Sequence, residues 1–145
     1  MKEILMALVC GVIFLSSSLC MAAVDGGKIA LGSIYPGMSA NDFVNIFGQP
    51  TYKDGDDWTY PSFKVEVEHG IVQEISTCSE SIITPDSVRV GLSAEALNST
   101  FGKADKIDYD SDGVEYKYYS TDRTKKIEFK VANGVIVKIT CELND

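Results

Sequence analysis

Three features of this sequence have side chains suited to chemistry: one histidine, a run of alternating aspartates, and a stripe of aromatics. His69 is the only histidine. Acid–base or metal work needs partners at defined distances, and none is evident beside it. His69 precedes Gly70 where an internal repeat has Asn133-Gly134. Histidine and asparagine are both enriched at positive φ, so His69 reads as a turn residue. The run Asp108-Tyr109-Asp110-Ser111-Asp112-Gly113 copies the first half of a calcium loop. Tyr119, however, stands where the bidentate glutamate belongs, and the flanks alternate like strands. A hairpin turn is expected there, as at Asp54-Gly55-Asp56-Asp57. The chain has no Gly-x-Ser-x-Gly, phosphate loop or histidine-based nucleophile pair. No catalytic residue, metal ligand or cofactor is assigned. The one enzyme class left open is a carboxylate-dependent hydrolase, with two acids facing a cleft.

Trp58 and Tyr60 alternate with polar neighbours, as do Tyr116 and Tyr118. Alternation places each pair on one face of a strand. That face either packs beneath helices carrying Phe43, Phe47, Leu97 and Phe101, or forms an exposed aromatic platform of the kind binding surfaces favour. Tyr109, Tyr119 and Arg123 fall in two segments, Asp108–Gly113 and Tyr119–Lys126, that lengthen the second repeat. Tyrosine and arginine are the types that anchor protein interfaces. The expected partner-binding residues are therefore Tyr109, Tyr119, Arg123, Trp58 and Tyr116.

The elements that must position these side chains follow from the repeat. Gly37-Met38-Ser39-Ala40 recurs as Gly91-Leu92-Ser93-Ala94, and Phe47-Gly48 as Phe101-Gly102. Trp58-Thr59-Tyr60 matches Tyr116-Lys117-Tyr118, and Ile75-Ser76-Thr77-Cys78 matches Ile139-Thr140-Cys141. Ser39 and Ser93 are placed to cap short helices through their hydroxyls. Gly48 and Gly102 suit the helix ends, and Pro50 forbids continuation. Asn133-Gly134 is a strong two-residue hairpin signal. The expected fold is α+β: two tandem units, each a short helix and an antiparallel meander of about three strands, with the helices on one face of the sheet. Unit one spans 23–84 and unit two 85–145, with the linker Ser79–Ser87 across their boundary.

Residues 1–22 have the layout of a secretory signal peptide: Lys2, the apolar run Ile4–Leu15, then small residues up to Ala22. The run is short for a membrane span, and Leu19 is a poor neighbour for a lipidated Cys20. No stable membrane anchor is expected after cleavage, and the location expected is secreted or periplasmic. Cys78 and Cys141 then form an even pair in an exported chain, which predicts a disulfide between the units. The net charge of −8 repels phosphate backbones, so nucleic acid is an unsuited partner.

Gly-Met-Ser, Asn-Asp-Phe-Val, Phe-Gly-Gln-Pro, a Trp-x-Tyr strand and a closing hairpin together resemble two families. One is the small outer-membrane assembly lipoproteins of the SmpA/OmlA type; the other is the β-lactamase inhibitor proteins. The resemblance covers roughly residues 29–141. It implies the helix-plus-meander architecture, with helices on one face of a sheet whose other face grips a partner. It departs from both: the lipobox is missing, and each unit has one cysteine where the inhibitors carry intra-unit disulfides. The expected function is a non-catalytic binding module that contacts a protein partner. The alternatives are an inhibitor of an extracellular hydrolase, such as a β-lactamase or protease, and the carboxylate hydrolase above.

Overall fold

The structure is a computed structural model and describes residues 23–145. The expected signal peptide, with Cys10, Cys20 and the expected cleavage after Ala22, falls on residues outside the described ones.

Among the described residues, two short α-helices, α1 (Ala40–Phe47) and α2 (Glu95–Phe101), and one 3-10 turn at Gly26–Lys28 accompany eight strands. The strands are β1 (Tyr52–Asp54), β2 (Asp57–Thr59), β3 (Lys64–Glu68), β4 (Ile71–Thr77), β5 (Lys106–Asp110), β6 (Gly113–Tyr119), β7 (Lys125–Ala132) and β8 (Val135–Leu143). All eight form one antiparallel sheet in the order β1-β2-β3-β4-β8-β7-β6-β5. This corrects the expected fold of two tandem helix-plus-meander units. β4 and β8 are joined by a ladder from Glu74↔Glu142 to Thr77↔Ile139, so the sheet does not stop between the halves. Each half contributes four strands, not three, because the aspartate-rich turns at 54–57 and 110–113 each add a strand at an outer edge. The core is likewise single. Phe43, Tyr60, Val65 and Ile75 belong to the same buried cluster as Leu97, Phe101, Tyr118 and Phe129. The expected linker is no free connection, since Thr84 is fully buried and Ile83 accepts a hydrogen bond from Gly32 at 2.8 Å.

The recurring Gly-(Met/Leu)-Ser-Ala blocks have a backbone role that their side chains do not show. The Gly37 amide donates to Val72, the Val72 amide to Met38, and the Ala40 amide to Gly70. The same three bonds recur from Gly91 to Ile136, from Ile136 to Leu92 and from Ala94 to Gly134. Each block is a strap laid along a hairpin tip. A helix leaves its first amides without partners. Here the carbonyl of the hairpin glycine supplies one, and neither Ser39 nor Ala94, which precedes α2, makes a side-chain cap. The hydroxyl-capping expectation for Ser39 and Ser93 is corrected accordingly. Gly37 and Gly91 adopt φ of 91° and 93°, a region that favours glycine. His69 and Asn133 have φ of 52° and 51°, each followed by a positive-φ glycine, as a two-residue hairpin turn requires.

The other helix ends are also tied to the sheet. The Tyr60 hydroxyl donates to the Gly48 carbonyl at 2.8 Å, and the Tyr118 hydroxyl to the Gly102 carbonyl at 3.1 Å. Tyr118 is buried, and burial pushes its hydroxyl up to about 12, so it stays a donor throughout the physiological range. Tyr118→Phe removes the bond and leaves a helix-terminal carbonyl short of a partner. A loss of about 1–2 kcal/mol in unfolding free energy is expected, read from the urea midpoint at unchanged slope. An unchanged midpoint would show that water takes over the carbonyl.

Candidate functional site

Register and alternation sort the sheet into two faces. One carries Val65, Ile75, Cys141, Ile127, Phe129 and Tyr118, all buried, beneath α1, α2 and the N-terminal segment through Ile29, Leu31 and Ile34. The opposite face carries the alternate residues and is polar. One row crosses it through Asp54↔Asp57↔Glu66↔Glu74↔Glu142↔Lys126↔Tyr119. A second runs through Tyr52↔Thr59↔Lys64↔Ser76↔Thr140↔Glu128↔Lys117↔Lys106. Two bulges make these rows possible. Gln73 is the extra residue where β3 pairs with β4, and Val137 where β7 pairs with β8. Each shifts the alternation by one, so Val72 and Ile75, or Ile136 and Ile139, can both face the core.

The two halves of this polar face differ electrostatically. On the β5–β8 side, charges are paired. Lys117 Nζ lies 3.1 Å from Asp108, 3.4 Å from Glu115 and 3.5 Å from Glu128. Lys126 Nζ lies 2.7 Å from Glu142 and 3.0 Å from Glu128. Partial burial opposes the charge on Lys126, but those two carboxylates outweigh it and raise its pKa. On the β1–β4 side the acids are not compensated. Among the described residues, no ion pair within 4.0 Å involves Asp54, Asp57, Glu66 or Glu74. Desolvation, followed by the charges of Asp57, Glu68, Asp56 and Glu142, holds the Glu66 carboxyl above its ordinary value. Desolvation and then Glu142 raise Glu74, against the pull of Lys138.

Three depressions on this face join through shared walls. One of about 510 Å³ runs from Cys78 and Phe63 to Lys64, Ser76 and Lys138. The next, of about 360 Å³, shares Thr59, Lys64, Ser76 and Lys138 and adds Asp54, Asp57, Glu66 and Glu74. The third, of about 200 Å³, shares Glu74 and Lys138 and adds Glu115, Glu128, Glu142 and Lys130. Seven carboxylates and three lysines line the last two, so the trough is negative. The first is the largest but holds no acid, and the charge that a ligand would sense lies in the second.

The expected partner-binding residues do not come together. Trp58 and Tyr116 lie half-buried on the helix-covered side, packed against the core. Trp58 is 6.4 Å from Phe43, with the Lys53 ammonium 4.6 Å from its ring. The aromatic stripe is therefore core packing and not an exposed platform. Tyr119 and Arg123 do meet: the guanidinium lies 4.7 Å from the ring, and Tyr119 ends the acidic row on the polar face. Tyr109 is 79% exposed, but it pairs with Val114 at the other end of β6 and shares the side of the buried Val131. The Asp108–Gly113 carboxylates do not converge either. Asp108 is held by Lys117 and Lys106, and Asp112 by Lys130 at 2.6 Å; these lysines keep both acids below their ordinary range. Among the described residues, no group of three His, Cys, Asp or Glu side chains is arranged to hold a metal ion.

The expected Cys78–Cys141 disulfide is also corrected: both cysteines are free. Cys141 pairs with Ile75 and faces the core, fully buried. Cys78 lies three residues beyond Ile75, past the end of β4, and is exposed. A bulge near Ser76 would have brought the side chains to one face. The bulge lies at Gln73 instead, upstream of Ile75. Sequence reasoning missed Glu66, Glu74 and Glu142 as a group, because they are far apart in the chain and only the register aligns them.

Among the described residues no helix is long and apolar enough to cross a membrane. No protein-family profile matches the chain, and no curated protein matches it significantly. Solved structures with a similar fold include a DUF4309-family protein, YjgB, from Bacillus subtilis. It is 13% identical, with a TM-score of 0.53 over 73% of this chain and 78% of that one. Another is an extracellular protein containing a SCP domain from Bacillus anthracis, 10% identical, with a TM-score of 0.57. That match covers 76% of this chain but only 44% of the other, so this chain spans under half of that protein's length. At such identities the likeness is one of fold, and fold does not fix function. This chain is thus similar in architecture to two bacterial proteins, one of them extracellular, and neither is described as an inhibitor or an outer-membrane assembly lipoprotein.

Proposed function

We propose that this chain is an exported, non-catalytic binding module whose helix-free sheet face receives a basic segment of a protein partner. The observation that carries this reading is the uncompensated row Asp54, Asp57, Glu66 and Glu74, followed by Glu142. Like charges directly opposite one another in a sheet are destabilising. A lysine- or arginine-bearing partner would relieve that repulsion on binding. Tyr119 and Arg123 sit at the far end of the row and suit the rim of such an interface. Export is supported by the leader-like start of the sequence and by the extracellular neighbour.

The test is affinity capture from the envelope and medium of the native host, with Glu66→Gln/Glu74→Gln as comparison. The double variant is expected to lose a basic partner that the native protein retains, and raised salt should release that partner. The variant should be no less stable. Both carboxylates have raised pKa values in the fold, so their ionisation opposes folding. That penalty is complete above the folded pKa and vanishes as pH falls below the unfolded one. Amides remove it at neutral pH and should raise the melting temperature there. Partner affinity should decline as pH drops through the carboxylate range. Capture that is equal for both proteins and insensitive to salt would overturn the reading.

A further inference from the structure

Among the described residues, the sheet has two open edges, and they are unlike. β1 has three residues, closely preceded by Pro50, and short edges of this kind resist pairing. β5 has five residues, Lys106–Asp110. Its hairpin closes through a two-residue turn at Asp110↔Gly113, a pair that exchanges backbone hydrogen bonds in such loops. Alternation then makes Asp108↔Glu115 and Lys106↔Lys117 the other bonded pairs. The Lys117 carbonyl faces β5, since it also accepts from the amide of Asp105 at 2.9 Å. The backbone N–H and C=O groups of Ile107 and Tyr109 therefore point away from β6. These two residues are 39% and 79% exposed.

We propose that two copies of this chain pair edge to edge through β5, antiparallel about a twofold axis at Asp108. In this register Ile107 faces the partner's Tyr109, and Tyr109 faces the partner's Ile107. These are the residues with outward backbone groups, so each pair can exchange two hydrogen bonds. On the polar face Lys106 stands opposite the partner's Asp110, and Asp110 opposite the partner's Lys106. The strand is thus complementary to its own antiparallel copy in backbone, apolar contact and charge, as a twofold interface requires. Asp108 meets the partner's Asp108 at the axis, but Lys117 and Lys106 already hold that carboxylate at 3.1 and 3.4 Å. The contact is small, so the dimer is weak and reversible.

Sedimentation of the purified protein over a concentration series tests this. A monomer–dimer equilibrium is expected. Ile107→Pro should abolish the dimer and preserve the fold, because the amide it removes serves no bond to β6 and proline is tolerated on such an edge. Lys106→Glu or Asp110→Lys alone places like charges opposite each other twice and should weaken dimerisation about tenfold. Both changes together should restore it. If circular dichroism shows that Ile107→Pro unfolds, the charge-swap set decides. A native protein that stays monomeric throughout overturns the proposal, leaving the edge to a strand of another protein. So does a dimer that survives in folded Ile107→Pro, or a double swap that restores nothing.

Discussion

Phe43→Ala is expected to lower the unfolding free energy by about 3–5 kcal/mol, the usual cost of emptying a large aromatic site in a core. Phe43 is completely buried and is the buried residue of α1. Its ring centroid lies 5.0 Å from Phe47, 5.3 Å from Tyr60 and 6.1 Å from Phe63. A helix of eight residues is not stable by itself, so α1 persists through what Phe43 anchors. Total stabilities of such domains are about 5–15 kcal/mol, and this one change would remove a large share. Urea denaturation followed by far-ultraviolet circular dichroism measures it. The midpoint should fall sharply, and Phe43→Leu should recover much of the loss. A change below about 1 kcal/mol would mean that Phe47 and Phe63 close over the vacated site.

The two cysteines should differ in thiol reactivity by at least about a thousandfold, since core strands open only at a cost of several kcal/mol. Cys78 is exposed and should be alkylated promptly in native buffer. Cys141 lies at the centre of the sheet, paired with Ile75 and Ile127. Burial, followed by the neighbouring Glu142, raises its pKa far above the ordinary thiol value. The reacting species is the thiolate, so Cys141 is both shielded and protonated. Peptide mapping after timed alkylation measures each site, and denaturant should make the rates converge. Comparable native rates, or a Cys78–Cys141 linked peptide on a non-reducing map, would contradict the placement of Cys141.

Local chemistry makes several elements legible in the sequence. Asn133-Gly134 and His69-Gly70 are hairpin turns because positive φ is tolerated by just these residue types. Phe43, Leu97 and Phe101 face the core because the helices have one apolar side each. The aspartate-rich segment 108–113 makes a hairpin because its flanks alternate, whatever its likeness to a calcium loop. The recurring Gly-x-Ser-Ala block was visible, but its purpose was not. The serine hydroxyl suggested a side-chain cap, whereas the strap uses backbone groups that every residue carries.

The periodicity, the turns and the two short helices follow from neighbours within a few positions, and the acidic charge from composition alone. The joining of eight strands into one sheet through β4 and β8 is a property of the fold, because strand pairing at that distance leaves no trace in local pattern. Strand register throughout the sheet decided the rest. It aligned Asp57, Glu66, Glu74 and Glu142 from four strands into one row, and it carried Tyr109 to the opposite face from Tyr119. The bulge fell at Gln73, upstream of Ile75, so the three-residue step from Ile75 to Cys78 kept Cys78 off the core side that Cys141 occupies. One extra residue reverses which side chains face the core, and nothing in the spacing of the cysteines reveals where that residue falls.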